Sequence, residues 1–238
     1  MTRILEVTNL TKSFGALTVA KDVSFHVSEG EVLGVIGPNG AGKTTLFGML
    51  SGHIKPSSGM VRFCGKDITT APPHRRARLG IGRTYQVPKP FGQMTVEQNL
   101  RVAATFAGQM DQRSADHWVG ETLALTGLSA HAGMFAGSLP LLVRKRHELA
   151  RALAMRPRLL LIDEVAAGLT EEEVSAFISM VKSVRTLGIA VVWIEHVIRT
   201  MLTATDRLMV LAGGEIVADG NPDKVMALPE TRRIYLGA

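Results

Sequence analysis

Cysteine is almost absent from this sequence of 238 residues, in which Cys64 stands alone. A disulfide framework is therefore excluded, and the composition suits a reducing compartment. No neighbouring pattern activates the Cys64 thiol, so we expect a small buried residue rather than a nucleophile. Aromatic residues make up 5% of the chain, which argues against stacking platforms for single-stranded nucleic acid.

Long apolar runs are absent as well. The apolar run at residues 189–194 is far shorter than the roughly 20 residues that a membrane-spanning helix needs. Glu6 and Asn9 interrupt the apolar pattern near the amino terminus, which is unlike a secretory signal. We therefore expect a cytoplasmic protein that reaches a membrane only through a partner.

Positive charge exceeds negative charge, which gives a net charge of +6 and a pI near 9.8. This balance permits contact with nucleic acid or an anionic membrane but establishes neither. The basic clusters at Arg75, Arg76 and Arg78 and at residues 144–146 are not interleaved with aromatics. We interpret both clusters as solvated basic faces, and we expect no nucleic acid partner.

Hydrophobic periodicity predicts two kinds of strand. Apolar and polar residues alternate over the first 30 residues, which predicts antiparallel strands with one solvated face. Residues 32–36, 159–162 and 189–194 are apolar throughout, which is typical of parallel strands buried on both faces. Between the last two runs, apolar residues recur at helical spacing from Val174 to Val184. A capping box of Thr170 and Glu173 opens this helix, and Gly188 is placed to end it.

The remaining segments complete the predicted organisation. Residues 88–155 have a helical pattern without a convincing strand, and a hairpin turns at Gly213 and Gly214. A short final helix is expected to start at Asn221 and Pro222. The sequence predicts one α/β domain over residues 1–238, with a core at about 1–87 and 156–238 and a helical insertion at about 88–155.

The strongest motif is a phosphate-binding loop after the first buried strand. It matches the pattern G-x-x-x-x-G-K-[ST] and reads Gly37, Pro38, Asn39, Gly40, Ala41, Gly42, Lys43, Thr44, Thr45. The glycines let several backbone N–H groups point at one phosphate, and the following helix adds its dipole. Lys43 would contact the β- and γ-phosphates, and the Thr44 hydroxyl would bind Mg²⁺. The fold class is therefore α/β, a P-loop (RecA-like) parallel sheet core with an N-terminal antiparallel β subdomain and a helical insertion.

A second motif places two acids after the apolar run 159–162. Parallel strands deliver their last side chains to the carboxyl edge of the sheet, where ligands bind. Asp163 would hold Mg²⁺, directly or through water, and Glu164 would act as general base toward the attacking water. Two acids after a strand are often only a solvated loop, but their combination with a P-loop favours a catalytic role.

These motifs together resemble the ATPase cassette of ABC transporters over essentially the whole chain. The resemblance implies roles for a lone Gln and a lone His: Gln86, which ends a predicted strand, would touch Mg²⁺ and the permease, and His196 would contact the γ-phosphate. It also implies that Phe14 stacks on adenine, although a core residue at a strand end is nearly as good an interpretation. Residues 166–169 resemble the loop that crosses the dimer interface.

Three further segments are similar to the ATPases of branched-chain amino acid importers, a group that also includes importers of urea, amides and aromatic acids. The segments are residues 80–86, residues 94–100, and Ile234, Tyr235, Leu236 and Gly237. The resemblance implies an ATP-hydrolysing subunit at the inner face of the cell membrane. Its expected partners are permease subunits, a second ABC ATPase and, indirectly, a solute-binding protein.

The chain departs from the family at the signature Leu-Ser-Gly-Gly-Gln, where it has Leu139, Pro140, Leu141, Leu142 and Val143. In the family this segment grips the γ-phosphate held by the opposite subunit. Pro140 has neither a hydroxyl nor an N–H group, so the grip should be lost while the helix that follows should survive. The hypothesis that follows is a heterodimer in which this chain's catalytic residues face a normal partner signature, with a homodimer left open.

A smaller departure is Val165, where the family usually has proline, and we expect it to loosen the following loop.

Two other functions stay open at this point. The basic balance would suit a soluble ABC ATPase that acts on nucleic acid or ribosomes, although the single cassette argues against it. The altered signature would suit a subunit that binds ATP without hydrolysing it, although Glu164 argues against that.

Overall fold

Two β-sheets of different kinds lie against each other in the computed structural model, which describes residues 2–236. The strands are β1 (Arg3–Phe14), β2 (Leu17–Ser28), β3 (Val32–Ile36), β4 (Ser58–Phe63), β5 (Lys66–Asp67), β6 (Ile81–Arg83), β7 (Leu159–Asp163), β8 (Ala190–Ile194), β9 (Arg207–Ala212) and β10 (Glu215–Gly220). The smaller sheet has the order β2-β1-β4-β5 and is antiparallel. The larger has the order β10-β9-β3-β8-β7-β6, and only its β9–β10 pair is antiparallel.

Some of the helices pack against the sheets, and others pack mainly against one another. They are α1 (Lys43–Ser51), α2 (Pro73–Arg78), α3 (Val96–Phe106), α4 (Gln112–Leu125), α5 (Leu141–Ala154), α6 (Glu171–Thr186), α7 (Ile198–Ala204), α8 (Pro222–Ala227) and α9 (Pro229–Leu236), with 3₁₀ turns at Ser129–His131 and Ala136–Ser138. The capping box of Thr170 and Glu173 is present at the start of α6. Among residues 2–236, none of the helices combines the length and the apolar character that a membrane span requires.

The buried parallel strands connect the two main hydrophobic cores. Successive side chains of a strand point to opposite faces, so Leu33 and Val35 of β3 pack toward the antiparallel sheet, while Val32 and Ile36 pack toward the helical side. The same alternation explains why β7 is apolar at every position before Asp163 and why β8 is apolar throughout. The predicted fold class is thereby confirmed.

Helices α3, α4 and α5 enclose a third core of their own, which includes Val96, Leu100, Val119 and Ala150. In the described part of residues 88–155, the extended pairing is limited to an isolated bridge between Thr95 and Phe135. The predicted helical character of this segment is therefore confirmed.

The loop before α3 is held in place by a buried amide. Asn99 is 1% exposed, and its side chain binds the backbone of Phe91, Met94 and Thr95. The same loop pairs with the turn that leads to α5, because the Gly137 N–H donates to the Gly92 carbonyl over 3.1 Å. The segment after Gln86 is thus tied by backbone contacts to the segment before Pro140.

Two predicted element ends differ from those observed. Strand β6 ends at Arg83, so Gln86 lies in the following loop rather than at the strand's end. The helix capped by Asn221 is α8, and a further helix, α9, follows it. Ile234, Tyr235 and Leu236 belong to α9, whereas Gly237 lies outside the described residues.

The interpretation of both basic clusters as solvated faces is wrong for one member of each. Arg76 is 1% exposed and donates to the carbonyls of Met49, Leu50, Thr69 and Ala71. The last carbonyls of a helix lack partners within the helix, so this guanidinium satisfies the end of α1. Burial lowers the pKa of Arg76 to about 10. Lys145 is also buried, and its Nζ donates to the carbonyls of Val165 and Ala167.

Candidate active site

The turn between β3 and α1 forms a cradle for an anion. Gly40 and Gly42 have φ values of 81° and 98°, in the left-handed region that favours glycine. Gly42 is the N-cap of α1, and no side chain in residues 2–236 caps this helix. Its first N–H groups and the positive end of its dipole therefore remain free for a bound phosphate.

Residues Asn39 to Thr45 line a cavity of about 180 Å³ together with Val19 and Glu164. The phosphate-binding loop and the catalytic acid predicted from the sequence therefore face the same space. Lys43 lines this cavity, and its Nζ donates to the carbonyls of Gly37 at 2.7 Å and Pro38 at 3.0 Å. Burial lowers the pKa of Lys43, and the charges of Glu164 and Asp163 act in the opposite direction.

Glu164 occupies a strained position directly after β7. Its φ is 40°, which L-residues with side chains rarely adopt. Its carboxylate is held from two sides: Nε2 of Gln86 donates to Oε2 at 2.5 Å, and Nε2 of His196 lies 2.6 Å from Oε1. Side chains from two other loops thus converge on one carboxylate at the edge of the cavity.

Asp163 ends β7 and is almost fully buried. Its Oδ2 accepts from the Arg83 guanidinium at 3.1 Å, and its backbone N–H donates to the Thr84 hydroxyl. Burial raises the pKa of Asp163, while Arg83 acts in the opposite direction. Asp163 lines a small pocket with Gln86 and Glu164 rather than the 180 Å³ cavity itself. Its pairing with a guanidinium provides a charged oxygen ligand that is fixed in direction.

Phe14 is the predicted site residue that stands apart. It ends β1, is 51% exposed and carries the Lys12 Nζ 4.9 Å from its ring centroid. Val19 of β2, rather than Phe14, lines the cavity. Contact between Phe14 and an adenine therefore stays a prediction.

Comparison with known proteins supports this geometry. A family model described as "ABC transporter" matches residues 20–167. The chain belongs to the ABC transporter family. It is 35% identical to the high-affinity branched-chain amino acid transport ATP-binding protein BraF of Pseudomonas aeruginosa, over 98% of each chain. It is 36% identical to the lipopolysaccharide export system ATP-binding protein LptB of Acidithiobacillus ferridurans, over all of this chain and 98% of that one.

Solved structures agree with the sequence relatives. The crystal structure of the ADP conformation of an ATP-binding cassette of an ABC transporter matches with a TM-score of 0.90 and 30% identity, covering all of both chains. A nucleotide-free ATP-binding cassette matches with a TM-score of 0.88 and 31% identity over both full lengths. The resemblance to ABC cassettes and to branched-chain amino acid transport ATPases is thus confirmed. As a cassette of this family, the chain binds ATP and is an ATPase.

The signature position of this ABC cassette lies at the start of α5. Pro140 is the N-cap and α5 begins at Leu141, so the helix survives the proline as expected. Leu141 is 49% exposed, and its Cδ2 lies 3.4 Å from where a Cβ on Gly168 would stand. An apolar side chain therefore lies beside the 166–169 loop, at the place where the family presents a serine and glycines.

Sequence reasoning missed three charged residues around the site: Arg83, Lys145 and Glu195. Glu195 follows the buried strand β8 and accepts from the N–H groups of Val165 and Ala166. The expectation that Val165 loosens the next loop is therefore wrong, because its N–H group has a buried partner. A charged residue at the end of a wholly apolar run is the signal that could have identified Glu195.

Proposed function

We propose that this chain hydrolyses ATP as one of two cassettes in a transporter that imports small polar solutes, branched-chain amino acids among them. The observation that carries the proposal is the position of Glu164. Its carboxylate borders the phosphate-binding cavity and is oriented by Gln86 and His196. A general base must be directed at the water that it activates, and these two contacts supply the direction.

Each side chain has a role that follows from its chemistry. The N–H groups of the phosphate-binding loop and Lys43 would hold the β- and γ-phosphates. Glu164 would align a water molecule and accept its proton as the water oxygen bonds to the γ-phosphorus and the bond to ADP breaks. His196 would stabilise the γ-phosphate oxygens. Positioning and charge stabilisation supply most of the rate in such reactions.

Magnesium suits the side chains beside the cavity. The Thr44 hydroxyl, the Asp163 carboxylate and the Gln86 amide oxygen are hard oxygen donors of the kind that Mg²⁺ prefers. Residues 2–236 contain no group of three or more His, Cys, Asp and Glu side chains that could hold a metal ion by itself. Mg²⁺ is typically shared between one or two carboxylates and substrate phosphates. The bound ion would neutralise phosphate charge.

Contact with the permease would use a groove that has α1 and α2 on one side and α3 and α5 on the other. This groove has a volume of about 280 Å³ and is lined by residues of α1, α2, β6, α3 and α5, with Tyr85 and Arg151 among them. Apolar side chains stand exposed nearby, Val87 at 67% and Phe91 at 51%. A helix of the permease with an apolar face would cover them and would place this chain at the inner face of the membrane.

The start of α5 supports a pairing with a different cassette. In the family each ATP lies between one chain's phosphate-binding loop and the other chain's signature. Pro140 and Leu141 supply neither a hydroxyl nor close backbone approach. ATP held by this chain would therefore be hydrolysed against a normal partner signature, while ATP held by the partner would not be.

The test compares the two ATP sites in the assembled transporter. Glu164→Gln should abolish hydrolysis, because the amide cannot take a proton from water, whereas the equivalent change in the partner should leave most of it. Loss of hydrolysis only with the partner's change would reverse the assignment. Restoring the family motif through Pro140→Ser, Leu141→Gly, Leu142→Gly and Val143→Gln should confer hydrolysis on the chain without a partner cassette.

Import rather than export is the direction to be tested in vesicles. The segments 80–86 and 94–100 and the BraF relative favour import, whereas LptB belongs to an export system. The transporter that copurifies with this chain should be reconstituted into vesicles with ATP inside and the solute-binding protein outside. It should then carry labelled leucine into the vesicles. The nucleic acid alternative is weaker than the composition suggested, because Arg76 and Lys145 are buried.

A further inference from the structure

The loop that follows Glu164 is held by two buried charges of opposite sign. From one side, Oε1 of Glu195 accepts from the backbone N–H groups of Val165 at 2.8 Å and Ala166 at 2.6 Å. From the other side, Nζ of Lys145 donates to the Val165 carbonyl at 2.5 Å and also to the Ala167 carbonyl. Three of the four peptide groups between Glu164 and Gly168 are thus fixed by side chains, one from the residue after β8 and one from α5.

The Glu195 carboxylate also binds the backbone of His196. Oε2 of Glu195 accepts from the His196 N–H at 3.0 Å. Glu195 is 2% exposed, and its neighbour Ile194 accepts the Glu164 N–H at 3.0 Å. Because Glu164 and His196 meet side chain to side chain at 2.6 Å, one buried group holds the backbones on both sides of this catalytic contact.

We propose that Glu195 is a positioning residue for ATP hydrolysis, which sets the relation between Glu164 and His196 by binding the backbone next to each of them. Lys145 extends this hold to α5, the helix that begins at the altered signature. The proposal rests on the proposed function, since it assigns Glu195 a role only if Glu164 acts in hydrolysis.

Val165 is the sequence feature that makes this arrangement possible. A proline at this position would have no N–H group, so Oε1 of Glu195 would lose one of its two loop donors. Proline also restricts the residue before it to extended conformations, which would oppose the φ of 40° at Glu164. The exchange of proline for valine therefore gives the loop a hydrogen bond and leaves Glu164 free to take its observed conformation.

The test measures kcat, KM for Mg-ATP and thermal stability of the full chain assembled with its permease and partner cassette. Glu195→Ala should lower kcat about a hundredfold, the size expected when a catalytic group is misplaced. KM should change by less than about threefold, because the phosphate-binding loop is untouched. Glu195→Gln should lie between, since its amide oxygen still accepts from Val165 and Ala166 while its NH₂ group faces the His196 N–H.

A double variant separates positioning from general destabilisation. If Glu195 acts through Glu164, the residual rate of Glu164→Gln with Glu195→Ala, measured in single-turnover experiments, should be within about twofold of the residual rate of Glu164→Gln alone. Losses that multiply would overturn the proposal, as would an unchanged kcat in Glu195→Ala. Should Glu164→Gln itself retain full turnover, the proposed function fails instead, and the two failures are therefore distinct.

A second pair of variants covers the case in which Glu195→Ala does not fold. Val165→Ala keeps the backbone N–H group and Val165→Pro removes it, while both lose part of the same apolar side chain. We expect kcat of Val165→Pro to be about tenfold below that of Val165→Ala. Equal kcat values in the two variants would overturn the proposal.

Discussion

Two glycines of the phosphate-binding loop form a matched pair for testing how that loop is built. Gly40 and Gly42 both have positive φ, at 81° and 98°. They differ in what a Cβ would meet: nothing lies within 4 Å at Gly40, whereas the Val19 carbonyl oxygen would lie at 2.4 Å at Gly42. Alanine at either position therefore adds backbone strain, but only Gly42→Ala adds a clash with β2.

The difference in unfolding free energy follows from these contacts. The left-handed backbone costs about 1 kcal/mol for alanine at either position. At Gly42 the carbon–oxygen separation of 2.4 Å falls below the 3.0 Å that real Cβ atoms respect, so the loop must move away from Val19. Overpacking of this kind adds about 2 kcal/mol. We expect destabilisation of about 1 kcal/mol for Gly40→Ala and about 3 kcal/mol for Gly42→Ala.

Urea denaturation of the full chain without nucleotide measures both values, and thermal unfolding should separate the two variants by roughly 4–8 °C. Equal destabilisation would show that the contact between Val19 and Gly42 does not limit the loop. A larger loss for Gly40→Ala would refute the reasoning outright, because no atom stands near its Cβ.

Three further predictions concern residues away from the cavity. Arg76→Met leaves the carbonyls at the end of α1 without donors and should lower the unfolding free energy by about 3 kcal/mol or more in urea. Burial lowers the pKa of His147 to about 4; since the unfolded chain takes up this proton first, wild-type stability should fall by about 3 kcal/mol between pH 6.5 and 4, and His147→Leu should lack that slope. Thr170→Ala removes half of the capping box with Glu173 and should cost about 1 kcal/mol, whereas Thr186→Ala at the other end of α6 should change stability by less than about 0.5 kcal/mol.

Much of the nucleotide-binding core could be predicted because its signals are local. A phosphate-binding loop occupies consecutive residues after an apolar strand, and Thr170 with Glu173 marks a helix start within four residues. Glu164 follows directly from the strand that precedes it. Such features depend on neighbours in sequence, so the printed residues suffice to place them.

The second layer of the site could not be predicted because it joins distant segments. Lys145, Val165 and Glu195 meet only after α5, β7 and β8 have packed, and each alone resembles an ordinary surface or loop residue. The prediction that Arg76 faces solvent was wrong for the same reason, since its partners at the end of α1 are more than twenty residues away in sequence. Charge patterns show how many basic residues there are, but tertiary packing decides which of them face water.

The contact between Gly92 and Gly137 has a mechanical consequence. A Cβ on Gly137 would stand 3.0 Å from the Gly92 oxygen, so the two backbones run side by side with no compressible side chain between them. A displacement of the segment after Gln86 is therefore transmitted directly to the turn before Pro140 through this backbone contact. In the transporter proposed above, motion imposed at the permease contact would therefore be transmitted to the start of α5.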